Sequence, residues 1–328
     1  MRKTLEYDHN KILEKKPLVV LTGPTAVGKT KASIGFAKAI NGEIISADSM
    51  QVYRGMDIGS AKIKKEEMDG VPHYFIDVLD PSEECNVLFF QSMAKKAIHD
   101  IYERNHIPVI TGGTGFYIQS VLNDIAFTEE TDHTVRQELE TLAEKEGPSC
   151  LYHMLQQVDP DYASTLHENN VKRVIRAIEF YRLNGYPLSK HNEEEQKRKS
   201  PYLFRYYVLH LPREILYERI EQRVDLMLKD GLVEEVKALK KKGFDRSYVS
   251  MQGLGYKEIL DVLDQKCTLE EAVDLIKRDT RHFAKRQLTW FRREKDVTWV
   301  EKNNFENEEK LCQWLLDDYM LNIGSKLI

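Results

Sequence analysis

Gly23-Pro24-Thr25-Ala26-Val27-Gly28-Lys29-Thr30 is the stretch whose reading decides the architecture. It follows an apolar run, Leu18-Val19-Val20-Leu21, and leads into an alanine-rich amphipathic segment, Thr30 to Ile40. A glycine, four residues, then Gly-Lys-Thr is the P-loop pattern: a strand, a tight glycine turn and a helix N-terminus. The backbone N–H groups of such a turn converge. With the positive end of the helix dipole they make an anion cradle. Lys29 adds a full positive charge, and Thr30 offers a hydroxyl to a magnesium ion. The stretch therefore asks for a polyphosphate or a diphosphate, and leaves open which one and what is done with it.

The remaining bulk properties narrow the class. A chain of 328 residues, 41% hydrophobic and 31% charged, can form one large or two moderate domains with a substantial core. No apolar run approaches the roughly 20 residues that span a bilayer, so no membrane segment is expected. The first residues, MRKTLEYDHNKILEKK, read as a polar leader over 1–16 and lack the apolar centre of a secretory signal. Cys85, Cys150, Cys267 and Cys312 are scattered without a C-x-x-C pair, which suggests neither a zinc site nor a disulfide framework, and a reducing cytoplasm as the home. A net charge of −5 argues against a general nucleic-acid coat protein and leaves room for a local basic groove. No feature demands more than a monomer.

Outward from the P-loop the pattern alternates. Asn41-Gly42 stops the first helix, and a short strand, Glu43 to Ser46, ends at Ala47-Asp48-Ser49. Asp48 thus sits at the carboxyl end of a strand, the edge where open α/β sheets bind ligands. The stretch Met50 to Lys62, MQVYRGMDIGSAK, mixes glycines, charges and aromatics without period, as a functional loop does. His73 to Val78 reads as a third strand, Asn86 to Arg104 as a helix, and Ile107 to Thr111 as a fourth strand. Gly112-Gly113-Thr114-Gly115 follows, then a helix to Leu122, placing a second glycine turn on the P-loop edge. Strands alternating with helices imply a parallel sheet.

The alternation breaks after Leu122. Helical segments are expected over 134–146, 149–157 and 170–183, and the run HNEEEQKRK, 191–199, reads as a surface connection. Tyr202 to Leu211 is a fifth strand, and 212–242 a long helix interrupted near Gly231. The segment Gln252 to Glu258 is another glycine loop opening a helix. Asp274 to Arg293 is a helix with Arg281, Lys285 and Arg292 near one face and Gln287, Trp290 and Phe291 interleaved. A strand-like VTWV and an amphipathic final helix close the chain. The expected fold is α/β, a P-loop NTPase-like parallel sheet flanked by helices over 1–125 and 201–328, with an all-helical domain inserted at 126–200.

GPTAVGKT, SADSMQVYRGMDIGSAK, HYFIDV, ITGGTGFYIQ, NNVKRVIRAIE, GLVEEV, QGLGYKE and KRQLTWFR occur in the order seen in bacterial-type tRNA dimethylallyltransferases. The sequence resembles that family over nearly its whole length, and the second and last of these motifs are far more selective than the P-loop. The resemblance implies transfer of a dimethylallyl group from dimethylallyl diphosphate to the exocyclic amine of the adenosine 3′ to the anticodon, with magnesium required. The nucleotide-type cradle, Gly23, Pro24, Thr25, Ala26, Val27, Gly28, Lys29 and Thr30, would then hold a diphosphate leaving group, with Thr30 on the metal. Arg223 is the first candidate for a lid arginine over the departing charge; the alternative is a solvated helix face.

The adenine amine is a weak nucleophile, and a nearby carboxylate can take its proton as the new bond forms. Position alone leaves Asp48 as this base, as a helix N-cap or as a magnesium contact; the resemblance selects the base. Thr114 resembles the family's threonine contacting the target nucleotide. The target base must leave the anticodon stack, and Asp48, Ser49, Met50 and Gln51 would meet the flipped nucleotide and its neighbours. By resemblance Arg136, Lys172, Arg173, Val174, Ile175 and Arg176 touch the tRNA anticodon stem-loop, and Arg281 and Lys285 could line a basic groove wall. Three competitors remain at this stage: a small-molecule P-loop kinase using ATP, an isopentenyltransferase acting on free adenylate, and a non-catalytic RNA-binding module. The basic helical insertion argues for RNA over a free nucleotide; the intact Gly28-Lys29-Thr30 and Asp48 argue for catalysis.

Overall fold

The structure, a computed structural model, describes residues 15–127 and 134–325. The expected polar leader lies, up to residue 14, outside the described residues. Six strands form one all-parallel sheet: β1 (Lys16–Thr22), β2 (Gly42–Ala47), β3 (His73–Tyr74), β4 (Ile107–Gly112), β5 (Tyr202–His210) and β6 (Val297–Glu301). Their order is β3-β2-β4-β1-β5-β6, so the P-loop strand lies inside the sheet between β4 and β5. A parallel strand covered on both faces needs a continuous apolar run, and β1 supplies one. Leu18 and Val20 enter one core cluster and Val19 and Leu21 the other, all four fully buried.

The helices are α1 (Lys29–Ala39), α2 (Val87–Glu103), α3 (Gly115–Leu122), α4 (Thr134–Glu146), α5 (Pro148–Val158), α6 (Pro160–Ser164), α7 (Val171–Asn184), α8 (Leu188–Lys197), α9 (Arg213–Lys229), α10 (Leu232–Lys241), α11 (Tyr256–Leu263), α12 (Leu269–Phe291) and α13 (Glu308–Tyr319). Local chemistry sets their ends. Asn86 accepts the Phe89 N–H and starts α2, while Thr268 and Glu271 form a reciprocal capping box on α12. The interruption near Gly231 is the α9–α10 junction, where Gly231 takes φ 102°. Residues of α1 and α13 fill one sheet face; α2, α3, α10 and α11 fill the other.

The chain divides into two compact units, 1–122 with 201–328, and 123–200. The second unit is helical, with its own core of Leu139, Leu151, Leu155, Ala163, Val174, Ile175, Ala177 and Ile178. Its first and last described segments are tied together: the Ala126 N–H donates to Glu195 (3.1 Å) and Arg198 donates to the Asp124 carbonyl (3.0 Å).

Two expectations are corrected. The third strand stops at Tyr74, because Phe75 and Asp77 take φ 69° and 55° and turn the chain. Packing of Phe75 against Phe90, with ring centroids 5.1 Å apart, holds that turn. The hydrophilic run 191–199 is not a bare connection. Most of it belongs to α8, where Glu195 faces inward onto the Ala126 N–H, His191 packs against Phe180, and Glu193 and Glu194 are exposed.

At the ligand edge three strand ends are clasped. Thr22 Oγ1 donates to the Gly112 carbonyl, and the Thr114 N–H to the Ala47 carbonyl at 3.1 Å. A Cβ on Gly112 would overlap the Ala47 backbone. Gly112→Ala is therefore expected to destabilise the protein by about 2 kcal/mol or more in denaturant unfolding; an unchanged midpoint would mean that the β2 and β4 ends separate freely.

Candidate active site

The P-loop closes onto its neighbours by having no side chain at Gly23, where a Cβ would strike the Leu209 carbonyl of β5. Gly28, at φ 90°, turns the chain into α1 and leaves Lys29 at the first helical position. Lys29 Nζ donates to the Pro24 carbonyl at 2.8 Å. Burial pulls its pKa down to about 7; the charge of Asp48 opposes that shift and the charge of Arg223 adds to it. Arg223, on α9, is likewise lowered by burial and supported by Asp48. Its Nε is buried with no hydrogen-bond partner among the described residues. The structure thus brings together three residues that lie 19 and 175 positions apart in sequence, Lys29 with Asp48 and Asp48 with Arg223.

Asp48 holds the adjoining loop. Its Oδ1 accepts the N–H groups of Met50 (2.9 Å) and Gln51 (3.3 Å), which fixes the carboxylate's direction using one oxygen. No helix follows, so Asp48 caps a loop and not a helix N-terminus. Beside it lies an aromatic layer. Tyr117 stacks on Phe90 at 4.6 Å and donates to the Cys85 carbonyl, and the Cys85 N–H donates to Tyr53. Burial keeps Tyr117 and Cys85 neutral, and the Asp48 charge pushes in the same direction.

The 50–62 loop is fixed by residues that sequence reasoning left without a role. Glu235, from the GLVEEV motif, accepts the N–H groups of Asp57 (2.8 Å), Ile58 (2.7 Å) and Gly59 (3.1 Å), and the Tyr256 hydroxyl at 2.7 Å. Lys62 reaches the Tyr53 carbonyl and the carboxylates of Asp57 and Asp77. A carboxylate taking successive backbone N–H groups leaves no sequence period. The motif strings alone marked these positions.

Gln287 ties the two glycine turns together. Its Oε1 accepts the Thr25 N–H at 2.9 Å and its Nε2 donates to the Gly113 carbonyl at 3.0 Å, and the residue is only 6% exposed. Trp290 packs where a Cβ on Gly115 would sit, which makes it a structural contact. On the same helix Arg281 is paired with Glu221 at 2.6 Å, and Lys285 is exposed. Thr114, Ser49, Met50 and Gln51 are half-buried, and Thr30, the second residue of α1, is exposed.

In the helical unit Lys172 and Arg173 are exposed, and Arg136 and Arg176 both bond the buried carboxylate of Glu179, at 2.5 and 3.3 Å. Val174 and Ile175 are corrected: their side chains lie in the unit's core, as an amphipathic helix requires, and do not form a contact surface. Among the described residues no group of three or more His, Cys, Asp or Glu side chains could hold a metal, and no helix is long and apolar enough to cross a membrane.

The glycine turn between β1 and α1 thus gathers two desolvated cations, Lys29 and Arg223, with one carboxylate, Asp48. Residues 51–294 match the family model described as IPP transferase, and the chain belongs to that family. It is 60% identical over 297 residues to the tRNA dimethylallyltransferase of Lachnoclostridium phytofermentans, covering 90% of this chain and 95% of that one. It is similar to the crystal structure of the tRNA isopentenylpyrophosphate transferase from Bacillus halodurans, at 44% identity and TM-score 0.71, covering 95% and 97% of the two chains. It is also similar to a eukaryotic dimethylallyltransferase acting on tRNA, at 30% identity and TM-score 0.77, covering 95% and 77%.

The lowered Lys29 pKa has a signed consequence. Between about 7 and the ordinary value of 10.5 the unfolded chain holds a proton on Lys29 that the folded chain lacks, so this destabilisation is full below pH 7 and fades as pH rises. Lys29→Met is expected to raise the melting temperature by several degrees at pH 6, with the gain shrinking by pH 9. A pH-independent difference would mean that the ammonium is not desolvated.

Proposed function

We propose that the protein transfers a dimethylallyl group from its diphosphate to the exocyclic amine of the adenosine 3′ to the anticodon in tRNA, releasing diphosphate. The observation that carries this reading is the gathering of Lys29, Arg223 and Asp48 at one end of the parallel sheet. The allylic carbon needs its leaving group neutralised. Lys29, Arg223 and the inward N–H groups of the P-loop do this with charges already in place, so little reorganisation is left for the moment of reaction. Inorganic anion binding alone would not require an acid there; an incoming amine does. Asp48 accepts the proton that the adenine nitrogen loses as the carbon–nitrogen bond forms and the carbon–oxygen bond breaks. Its direction is set by the Met50 and Gln51 amides, and Thr114 stands at the start of α3, one loop away, to meet the nucleotide.

A magnesium ion fits the donor set. The Thr30 hydroxyl, with diphosphate oxygens and water, gives the hard oxygen environment this ion takes, and the ion would supply further charge neutralisation of the leaving group. The Arg136, Lys172, Arg173 and Arg176 cations of the helical unit suit phosphate contacts with the anticodon stem-loop. The Ser49–Gln51 segment suits contact with an unstacked base.

Transfer of label from dimethylallyl diphosphate in the presence of magnesium should occur to tRNA carrying adenosines beside the anticodon, and not to free AMP. Label on AMP alone would make the protein a free-nucleotide enzyme. Asp48→Ala should keep tRNA affinity and lose turnover by about 10² or more; equal turnover would remove Asp48 from the proton-accepting role. Arg176→Ala should weaken tRNA binding and reduce the salt slope by roughly one phosphate contact. An unaltered slope would leave Arg176 as a purely internal ion-pair residue.

A further inference from the structure

In a trans peptide the N–H and the carbonyl point opposite ways, and two carbonyl oxygens of the P-loop meet cations. Arg219 Nη1, from α9, lies 3.4 Å from the Val27 carbonyl. Lys302 Nζ, from the turn Lys302–Asn304 that follows β6, donates to the Gly28 carbonyl at 3.2 Å. The pairing with the cradle is direct. The Val27 carbonyl belongs to the same peptide as the Gly28 N–H, and the Gly28 carbonyl to the same peptide as the Lys29 N–H. Lys302 is not a surface lysine resting there by chance. Its side chain is 11% exposed, and an ion pair with Glu308 at the start of α13 fixes it. A Cβ on Gly28 would fall on its ammonium.

A cation bonded to an amide oxygen draws electron density through the peptide and strengthens the N–H on the other side as a donor. We propose that Lys302 and Arg219 are positioning residues for the anion. They hold and polarise the Val27–Gly28 and Gly28–Lys29 peptides from behind, so that the N–H groups of Gly28 and Lys29 bind the diphosphate more strongly. Lys302 lies beyond the 51–294 span matched by the family model. The assignment rests on the P-loop being the diphosphate cradle, and it adds the tail after β6 to the binding apparatus. Neither residue touches the anion, so their effect belongs to diphosphate affinity and not to tRNA affinity.

The test is calorimetric titration with inorganic pyrophosphate and magnesium of the full chain and of Lys302→Met, Lys302→Arg and Arg219→Met, beside tRNA binding and melting temperature for each. Failure of the unaltered protein to bind pyrophosphate would overturn the cradle reading itself, whatever the variants do. With that binding established, Lys302→Met is expected to lose about tenfold in pyrophosphate affinity, about 1.4 kcal/mol. Lys302→Arg should stay within about threefold and tRNA affinity within about twofold. In amide spectra of the free protein Lys302→Met should move the Lys29 nitrogen, and Arg219→Met the Gly28 nitrogen. Arg219 is exposed on its helix, so its variant remains informative if Lys302→Met proves unstable. Pyrophosphate affinity equal to the parent in both methionine variants would overturn the proposal. So would a loss that Lys302→Arg does not recover, which assigns Lys302 to packing alone.

Discussion

The desolvation of Lys29 is the constraint to which the rest of the site answers. An ammonium withdrawn from water is costly unless a countercharge is near, and here the compensation is incomplete. Asp48 supports it, while Arg223 presses against it. The imbalance is stable only because the surrounding frame is stiff. Continuous apolar strands bury both faces of the sheet, and the turn at Gly28 forces the lysine to begin a helix. An anion placed beside Lys29 would restore the missing negative charge, so anion affinity and the cost of folding would draw on the same electrostatic deficit.

A second theme is how few side chains set the loop geometry. Glu235 orders three consecutive amides of the 50–62 loop, and Gln287 joins the two glycine turns through one acceptor and one donor. Neither needs to face a substrate. Each replaces what would otherwise be water on loop amides. Glu235 so removes the conformational freedom left to a segment whose Val52, Tyr53 and Met56 side chains are already in the core.

The sheet, its parallel sense and the helical insertion were legible in the sequence because they rest on local period and on glycine punctuation. The P-loop and the strand-end position of Asp48 were legible for the same reason. What was not legible depends on contacts distant in sequence. His73 to Val78 has strand composition, but packing of Phe75 on the α2 aromatics bends it after two residues. The hydrophilic run in α8 reads as loop until Glu195 is seen turned inward. Val174 and Ile175 sit among cationic neighbours in a motif, and only the unit's core separates the apolar positions from the exposed ones. Gln287 and Glu235 were visible as letters in motifs, but a bond to a backbone amide more than 150 residues away leaves no trace in spacing.

The bonds from Glu195 to Ala126 and from Arg198 to Asp124 fasten the points at which the chain passes into and out of the helical unit. A module whose two ends are pinned side by side interrupts its host no more than a hairpin would. Such a closure makes the 123–200 segment separable in principle: it can be shortened, exchanged or grafted between β4 and β5 of a related sheet without asking the strands to shift. Change can then accumulate in one detachable cassette while the strand ends of the sheet stay untouched.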